Sequence, residues 1–375
     1  MTSFSGKIVA PDGIVEGTLH IAGDRIAGIE PGRIDADAGW LVPGFVDIHC
    51  HGGGGHTFTT GDADEARLGA AFHASHGTTT VVASLVSSPF ELMRSATAAF
   101  APLVAGGVIG GVHFEGPYLS EACCGAQNPA FLRDPSLAEL EALLDVAGPD
   151  VIRMMTIAPE RAGALEAIAF LAAHGVVAAI GHTDASYAEV LAGVAAGATV
   201  GTHVFNGMRP PHHRAPGPVY ALLRSAGIVC EFVADGVHMA EETLEFATHT
   251  VGVGRAALIT DAIMATGMAD GDYELGGQAV QVEDGVARLV TADGSQGSIA
   301  GSTLTMDAAL RRTARVTGSI VDSVAAASTT PARAIGLTDR GALAVGLRAD
   351  IVALDADLNV TAVIRAGAEV PSADR

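Results

Sequence analysis

From residue 45 to residue 260 the sequence alternates, eight times, between a short apolar run and a longer stretch with helical spacing. The apolar runs are 45–48, 78–85, 108–114, 151–157, 176–180, 199–204, 228–233 and 257–260. Each is too short for a core helix and apolar on both faces, so each predicts a strand covered on both sides. Helices are predicted between them, among others over 64–76, 89–104, 135–146, 162–174 and 185–196. Asp134 is the predicted cap of the third of these, with Pro135 in its first turn. Strands linked through helices run parallel, and eight such units close into a (β/α)8 TIM-like barrel, an α/β fold. The barrel is assigned to residues 43–340, completed by helices near 303–316 and 320–335. Within it, residues 268–298 switch to period-two alternation around Glu283-Asp284-Gly285, which predicts a β-hairpin inserted after the eighth strand.

Both ends of the chain read differently. Lys7-Ile8-Val9, Gly17-Thr18-Leu19-His20-Ile21 and Arg25-Ile26-Ala27-Gly28-Ile29 are strand-like, with turns at Pro11-Asp12-Gly13 and Gly23-Asp24 and no helix between them. Residues 346–355 and 360–364 repeat that pattern. Residues 1–42 and 341–375 are therefore expected to pair into one small β-sandwich.

In barrels of this kind, chemistry sits at the C-terminal ends of the strands. The first strand runs into His49-Cys50-His51 and then four glycines. Strand alternation sends both imidazoles to one face and Cys50 to the other, with the two histidine backbones roughly 6.6 Å apart. Two imidazoles so placed converge on one ion. The remaining strand ends offer Glu115 on the third, His182 on the fifth, His203 on the sixth, His238 just past the seventh and Asp261 on the eighth. Ligand-type residues thus recur at six of eight strand ends, a rule that scattered core histidines would not obey. Imidazole and carboxylate donors suit zinc foremost, and also Fe(II), Mn or Co, so one or two divalent transition metals are expected per subunit. Such an ion lowers the pKa of a bound water from about 15.7 to about 7 and polarises a carbonyl. Asp261, beside that water, is suited to take its proton and hand it to a leaving amine, or to serve as a further ligand. Residues 206–214, after the sixth strand, offer backbone amides, Asn206 and two arginines, and arginine reads phosphate bidentately.

Composition narrows the chemistry. A net charge of -21 argues against nucleic acid or an anionic membrane as partner. Lys7 is the only lysine, which closes Schiff-base, carbamylated-lysine and P-loop mechanisms to the body of the protein. No run of 18 apolar residues occurs, and the N-terminus lacks the basic-then-apolar pattern of a signal peptide, so a cytoplasmic location is expected. Cys50, Cys123, Cys124 and Cys230 are too few and too scattered for a disulfide scaffold.

The motifs PGFVDIHCHGGGG (43–55), GVHFEGPYL (111–119), GAQNP (125–129), IGHTDAS (180–186), GTHVFNGM (201–208), FVADGVHM (232–239), LITDAI (258–263), IAGSTLTMD (299–307) and GLRADIVALD (346–355) resemble the amidohydrolase superfamily. Within it they are most similar to the family that deacetylates N-acetylglucosamine 6-phosphate. The resemblance spans nearly the whole chain. It implies metal-dependent hydrolysis of the substrate acetamide to glucosamine 6-phosphate and acetate, in amino-sugar catabolism or cell-wall recycling. It further implies that Glu115, His182 and His203 hold the principal metal and that His49 and His51 hold a second. Asp261 would be the catalytic acid and base, and His238 would help polarise the carbonyl. Ala126, Gln127, Asn206, Gly207, Arg214, His238, Ile299, Ala300 and Gly301 would line the sugar-phosphate site. In that family the arginine reaches across a dimer interface, which implies a homodimer. Hydantoinase-like relatives bridge two metals with a carbamylated lysine on strand four; residues 151–157 contain none, and Glu115 is the natural substitute. Gln127 stands where many members have histidine, and Cys123-Cys124 lie in a loop, 119–128, read either as a lid touching substrate or as two small apolar residues. Two rival readings stay open on the residues alone: an amidohydrolase acting on a cyclic amide or a heterocycle, and a non-catalytic sugar-phosphate-binding relative.

Overall fold

The computed structural model describes residues 2–291 and 294–371. Met1 and residues 372–375 of the predicted terminal sandwich, and 292–293 of the predicted insertion, lie outside the described residues.

Eight parallel strands lie side by side in chain order: Phe45–Cys50, Thr78–Leu85, Gly111–Glu115, Ile152–Ile157, Val177–Ile180, Val200–Gly201, Val229–Val233 and Ala256–Ile259. Every predicted apolar run contributes one strand. Hydrogen bonds at the seam bring the first strand against the eighth. Asp261 N donates to His49 O at 2.9 Å. The buried Asp47 carboxylate accepts from Thr260 Oγ1 at 2.5 Å and from Thr260 N at 3.3 Å. A side chain thus does part of the stitching that ladder hydrogen bonds do elsewhere.

Two strands are shorter than their apolar runs by two residues or more. The third begins at Gly111, because Val108 and Ile109 turn their amides back to Leu103 O and end the helix Phe90–Ala105. The sixth keeps only Val200–Gly201, since the chain leaves the ladder to swing His203 inward. His182, His203 and Asp261 all have positive φ, at 45°, 25° and 52°. Non-glycine residues adopt such backbone only where surrounding contacts hold it, and here it aims three strand-end side chains at one point.

The helices follow their capping residues. Ala63–Ser75 is capped by Asp62, and Tyr187–Ala196 opens on a capping box of Ser186 and Glu189. The third predicted helix is Leu137–Ala147, capped by Ser136 rather than Asp134. Ser136 Oγ accepts from Glu139 N, while Asp134 pairs with Arg161 at 2.8 Å. The Ser-x-x-Glu spacing captures the helix start and leaves Pro135 outside it. No helix among the described residues is long and apolar enough to cross a membrane.

The predicted hairpin is instead a four-stranded antiparallel sheet, Gly271–Leu275, Gln278–Glu283, Val286–Val290 and Gln296–Ile299. A lone two-stranded hairpin is marginal in water, and two flanking strands widen the apolar face that it can bury. That face (Leu275, Val280, Val282, Ala287) packs on Val86, Ile263 and Ala265 at the barrel mouth.

The chain ends join in one seven-stranded sheet, ordered Ala368–Glu369, Val360–Arg365, Ile351–Leu354, Trp40–Pro43, Thr2–Ala10, Gly13–Ala22, Arg25–Pro31. Its far edge bends back: Ile26 N donates to Leu347 O at 3.0 Å and Gly346 N to Ile26 O at 2.9 Å. The sheet so folded encloses Ile8, Leu19, Ile26, Leu41, Leu343 and Ile351, the separate apolar core of the small sandwich.

Candidate active site

Five side chains from four strand ends meet at the barrel mouth, with Asp261 beside them. His182 Nε2 and His203 Nε2 each lie 2.9 Å from Glu115 Oε1 and 3.1 Å from one another. His49 Nε2 and His51 Nε2 are 3.2 Å apart, and Asp261 Oδ1 stands 3.2 Å from His51. The two sets touch through Glu115, whose Oε2 is 3.3 Å from His51 Nε2. Cys50 points the other way, as strand alternation requires, onto His73.

The opposite ring nitrogens are all spoken for. His182 Nδ1 rests on Cys123 O at 2.9 Å, His203 Nδ1 on Asn206 O at 3.2 Å, and His51 Nδ1 on Ser84 O at 3.1 Å. A carbonyl only accepts, so each Nδ1 carries a proton, and in the neutral ring each Nε2 turns a lone pair inward. Neutral rings would then set bare lone pairs of His182 and His203 at 3.1 Å beside a carboxylate oxygen, an arrangement that needs a cation between them. The electrostatics agree. Burial opposes protonation of His51, yet the Asp261 and Glu115 carboxylates lift it to about 9. Burial likewise opposes charge on Asp261, yet His49 and His51 draw its carboxyl down to about 2. Glu115 is held well below the usual carboxylate range against its burial, by His49 and His182. The pocket attracts positive charge. Two N2O donor sets, Glu115 with His182 and His203, and His49 with His51 and Asp261, each have ligand atoms within 4.8 Å of one another, which fits one divalent metal apiece.

Above them opens a cavity of about 380 Å³. It is lined by His51, Glu115, Ala126, Gln127, His182, His203, Asn206, Gly207, His238, Asp261, Ile299 and Gly301, all singled out from sequence. Gln127 also holds the site together: its Nε2 donates to Glu115 Oε2 at 2.6 Å and its Oε1 accepts from Ser87 N at 2.7 Å. His238 Nδ1 bonds Asp235 Oδ2 at 2.6 Å, which leaves Nε2 for the cavity. Burial alone would lower the pKa of His238, but Asp235 raises it, so the ring keeps its proton to higher pH.

His49 lies buried beneath the cavity, and two of the residues predicted to line the sugar-phosphate site are not brought to it. Ala300 is fully buried in the core of the inserted sheet. Arg214 is exposed, its guanidinium against His213 of the same loop. The Cys123-Cys124 loop is tied to the site by backbone, through Cys123 O to His182 and Ser120 N to His182 O. Burial pushes the Cys123 thiol up to about 11, so it is not a thiolate at neutral pH.

Sequence reasoning missed Leu275, Arg288 and Ser298, which reach the cavity from the inserted sheet. Only the folding of that sheet over the mouth brings them there. It also missed Glu231 and Asp235. The first had a signal, as the only charge in the apolar run 228–233.

The amidohydrolase family model matches residues 40–370. A solved structure of N-acetyl-D-glucosamine-6-phosphate deacetylase from Mycobacterium smegmatis, a mutant in complex with N-acetyl-D-glucosamine-6-phosphate, superposes with a TM-score of 0.93 at 44% identity, covering 98% of this chain and 99% of that one. An N-acetylglucosamine-6-phosphate deacetylase of Lysinibacillus sphaericus is 34% identical over 340 residues, 89% of this chain and 86% of its own. An N-acetylgalactosamine-6-phosphate deacetylase of Escherichia coli O157:H7 is 36% identical over 352 residues, 91% of each. With these matches running from end to end of the barrel, the chain belongs to the amidohydrolase family and, within it, to the N-acetylglucosamine-6-phosphate deacetylases.

Proposed function

We propose that this protein hydrolyses the acetamide of N-acetylglucosamine 6-phosphate, releasing acetate and glucosamine 6-phosphate. The observation that carries the reading is Glu115: one carboxylate with Oε1 shared by His182 and His203 and Oε2 facing His51, beside Asp261 and His238. Glu115, His182 and His203 would hold the principal divalent metal, zinc by its donor set, and His49, His51 and Asp261 would hold a second. A metal in this place supplies Lewis acidity, making water a nucleophile near neutral pH and polarising a carbonyl.

The chain's own groups do the rest. Asp261, ionised, accepts a proton from the attacking water and passes it to the amide nitrogen as the C–N bond breaks. His238, whose proton Asp235 holds to higher pH, donates from Nε2 to the carbonyl oxygen as negative charge builds there. One such donor is worth about 3–4 kcal/mol of barrier. The side chain of Asn206, with the Gly207 amide, holds the phosphate, so binding energy far from the reacting bond orients the acetamide. Arg288 adds a cation to this chain's own cavity. Arg214, exposed here, serves a neighbouring subunit in a homodimer. The enzyme works in the cytoplasm, in amino-sugar catabolism or cell-wall recycling.

The test is acetate release by purified protein from N-acetylglucosamine 6-phosphate, its galactosamine epimer and the unphosphorylated sugar. Release confined to phosphorylated substrates supports the reading, and preference for the galactosamine epimer would reassign the sugar. Release from cyclic amides alone would refute it.

A further inference from the structure

Glu231 lies on the seventh barrel strand, fully buried beneath the active site. Its Oε2 stands 3.3 Å from His49 Nδ1 and 3.2 Å from His203 N. Its Oε1 is buried with no hydrogen-bond partner among the described residues. A buried carboxylate with one bare oxygen is a poor choice for packing, because the lost hydration is not repaid by hydrogen bonds. The surroundings show what it is good for. Three of the four converging imidazoles rest their Nδ1 on backbone carbonyls, and His49 alone rests on a carboxylate. A carboxylate behind an imidazole raises the basicity of the far nitrogen and fixes its direction. The same oxygen holds the backbone of His203, a member of the other ligand set.

We infer that Glu231 is a positioning residue that gives the His49–His51–Asp261 set its affinity for a second divalent metal. Glu231 thus buttresses one ligand of each set from behind, through His49 Nδ1 and His203 N, without occupying a coordination position. The inference rests on the reading of both donor sets as metal sites.

The test is metal binding by chelator-treated protein, titrated with Zn²⁺ or Co²⁺ alone. Wild type is expected to take two equivalents. Glu231→Gln, of the same size and still able to accept from His49, is expected to bind the first equivalent within a few-fold of wild type. Its second should be 10–100-fold weaker, with the matching cobalt absorption lost. Without metal, Glu231→Gln should melt at or above the wild-type temperature, since it relieves a buried carboxylate with one oxygen left unbonded; with metal it should melt lower. A purely structural role would lower both. Two undiminished equivalents in Glu231→Gln, or equal loss of both, overturns the inference while leaving the two-site reading intact. A wild type that takes only one equivalent overturns the two-site reading and the inference with it.

Discussion

Gly207→Ala tests how tightly the loop after the sixth strand controls a metal ligand. Gly207 has φ +58°, and a Cβ there would sit 2.9 Å from His182 Nδ1, 3.1 Å from its Cε1 and 3.4 Å from Cys123 O. The ring cannot step back, for Nδ1 is bonded to Cys123 O and Nε2 lies 2.9 Å from Glu115. The backbone is pinned too, since Gly207 O accepts from Thr183 N at 2.9 Å. The left-handed conformation costs an alanine roughly 1–2 kcal/mol, and overpacking about 1–3 kcal/mol more. A turned His182 loses its orienting bond, worth about 10–100-fold in metal affinity. Gly175→Ala is the control: φ +75°, exposed, with nothing within 4 Å of its Cβ. It should show the conformational cost alone. The assay is metal bound per chain after dialysis, with thermal midpoints measured with and without chelator. The reasoning fails if Gly207→Ala keeps its metal and melts like Gly175→Ala.

Other outcomes follow from the same geometry. Asp261→Asn should retain metal at the Glu115 set but lose about 10²–10⁴ in kcat; near-normal turnover would remove Asp261 from proton transfer. Asp235→Asn takes away the charge that raises the pKa of His238 and leaves the burial that lowers it. The protonated donor then disappears at lower pH, so the basic limb of kcat/KM should move down in pH while the acid limb stays; a uniform drop at every pH would contradict this. Arg288→Ala should raise KM for the phosphorylated sugar and leave the unphosphorylated sugar unchanged, and equal effects on both would place the phosphate elsewhere. Chains carrying Arg214→Ala mixed with chains carrying Asp261→Asn should recover activity in mixed dimers, and no recovery would confine Arg214 to its own subunit.

The barrel was legible because its signal is local: eight apolar runs, each separated by helical spacing, survive as eight strands in the same order. His49 and His51 were legible for the same reason, since period two needs only neighbouring residues. The rest depends on distant contacts. Nothing near Ser136 says that it outcompetes Asp134 as a cap except its spacing to Glu139. The inserted sheet gained strands because Gln296–Ile299 is short and apolar only at its end, and finds its partner across a loop. Arg288 belongs to the site only because that sheet covers the barrel mouth. The positive φ of His182, His203 and Asp261 is fixed by tertiary contacts, on residue types that tolerate it better than most but do not announce it in the sequence. Arg214 sat in a loop with the right chemistry, but a loop tip is not positioned by its own sequence.

The most direct test of the central claim, that the buried histidine–carboxylate cluster is a hydrolytic metal centre, is reconstitution. Protein stripped by chelator is titrated with Zn²⁺ while acetate release from N-acetylglucosamine 6-phosphate is followed. The account predicts no release without metal and recovery that saturates at one or two equivalents per chain. Full activity in the stripped protein would contradict it.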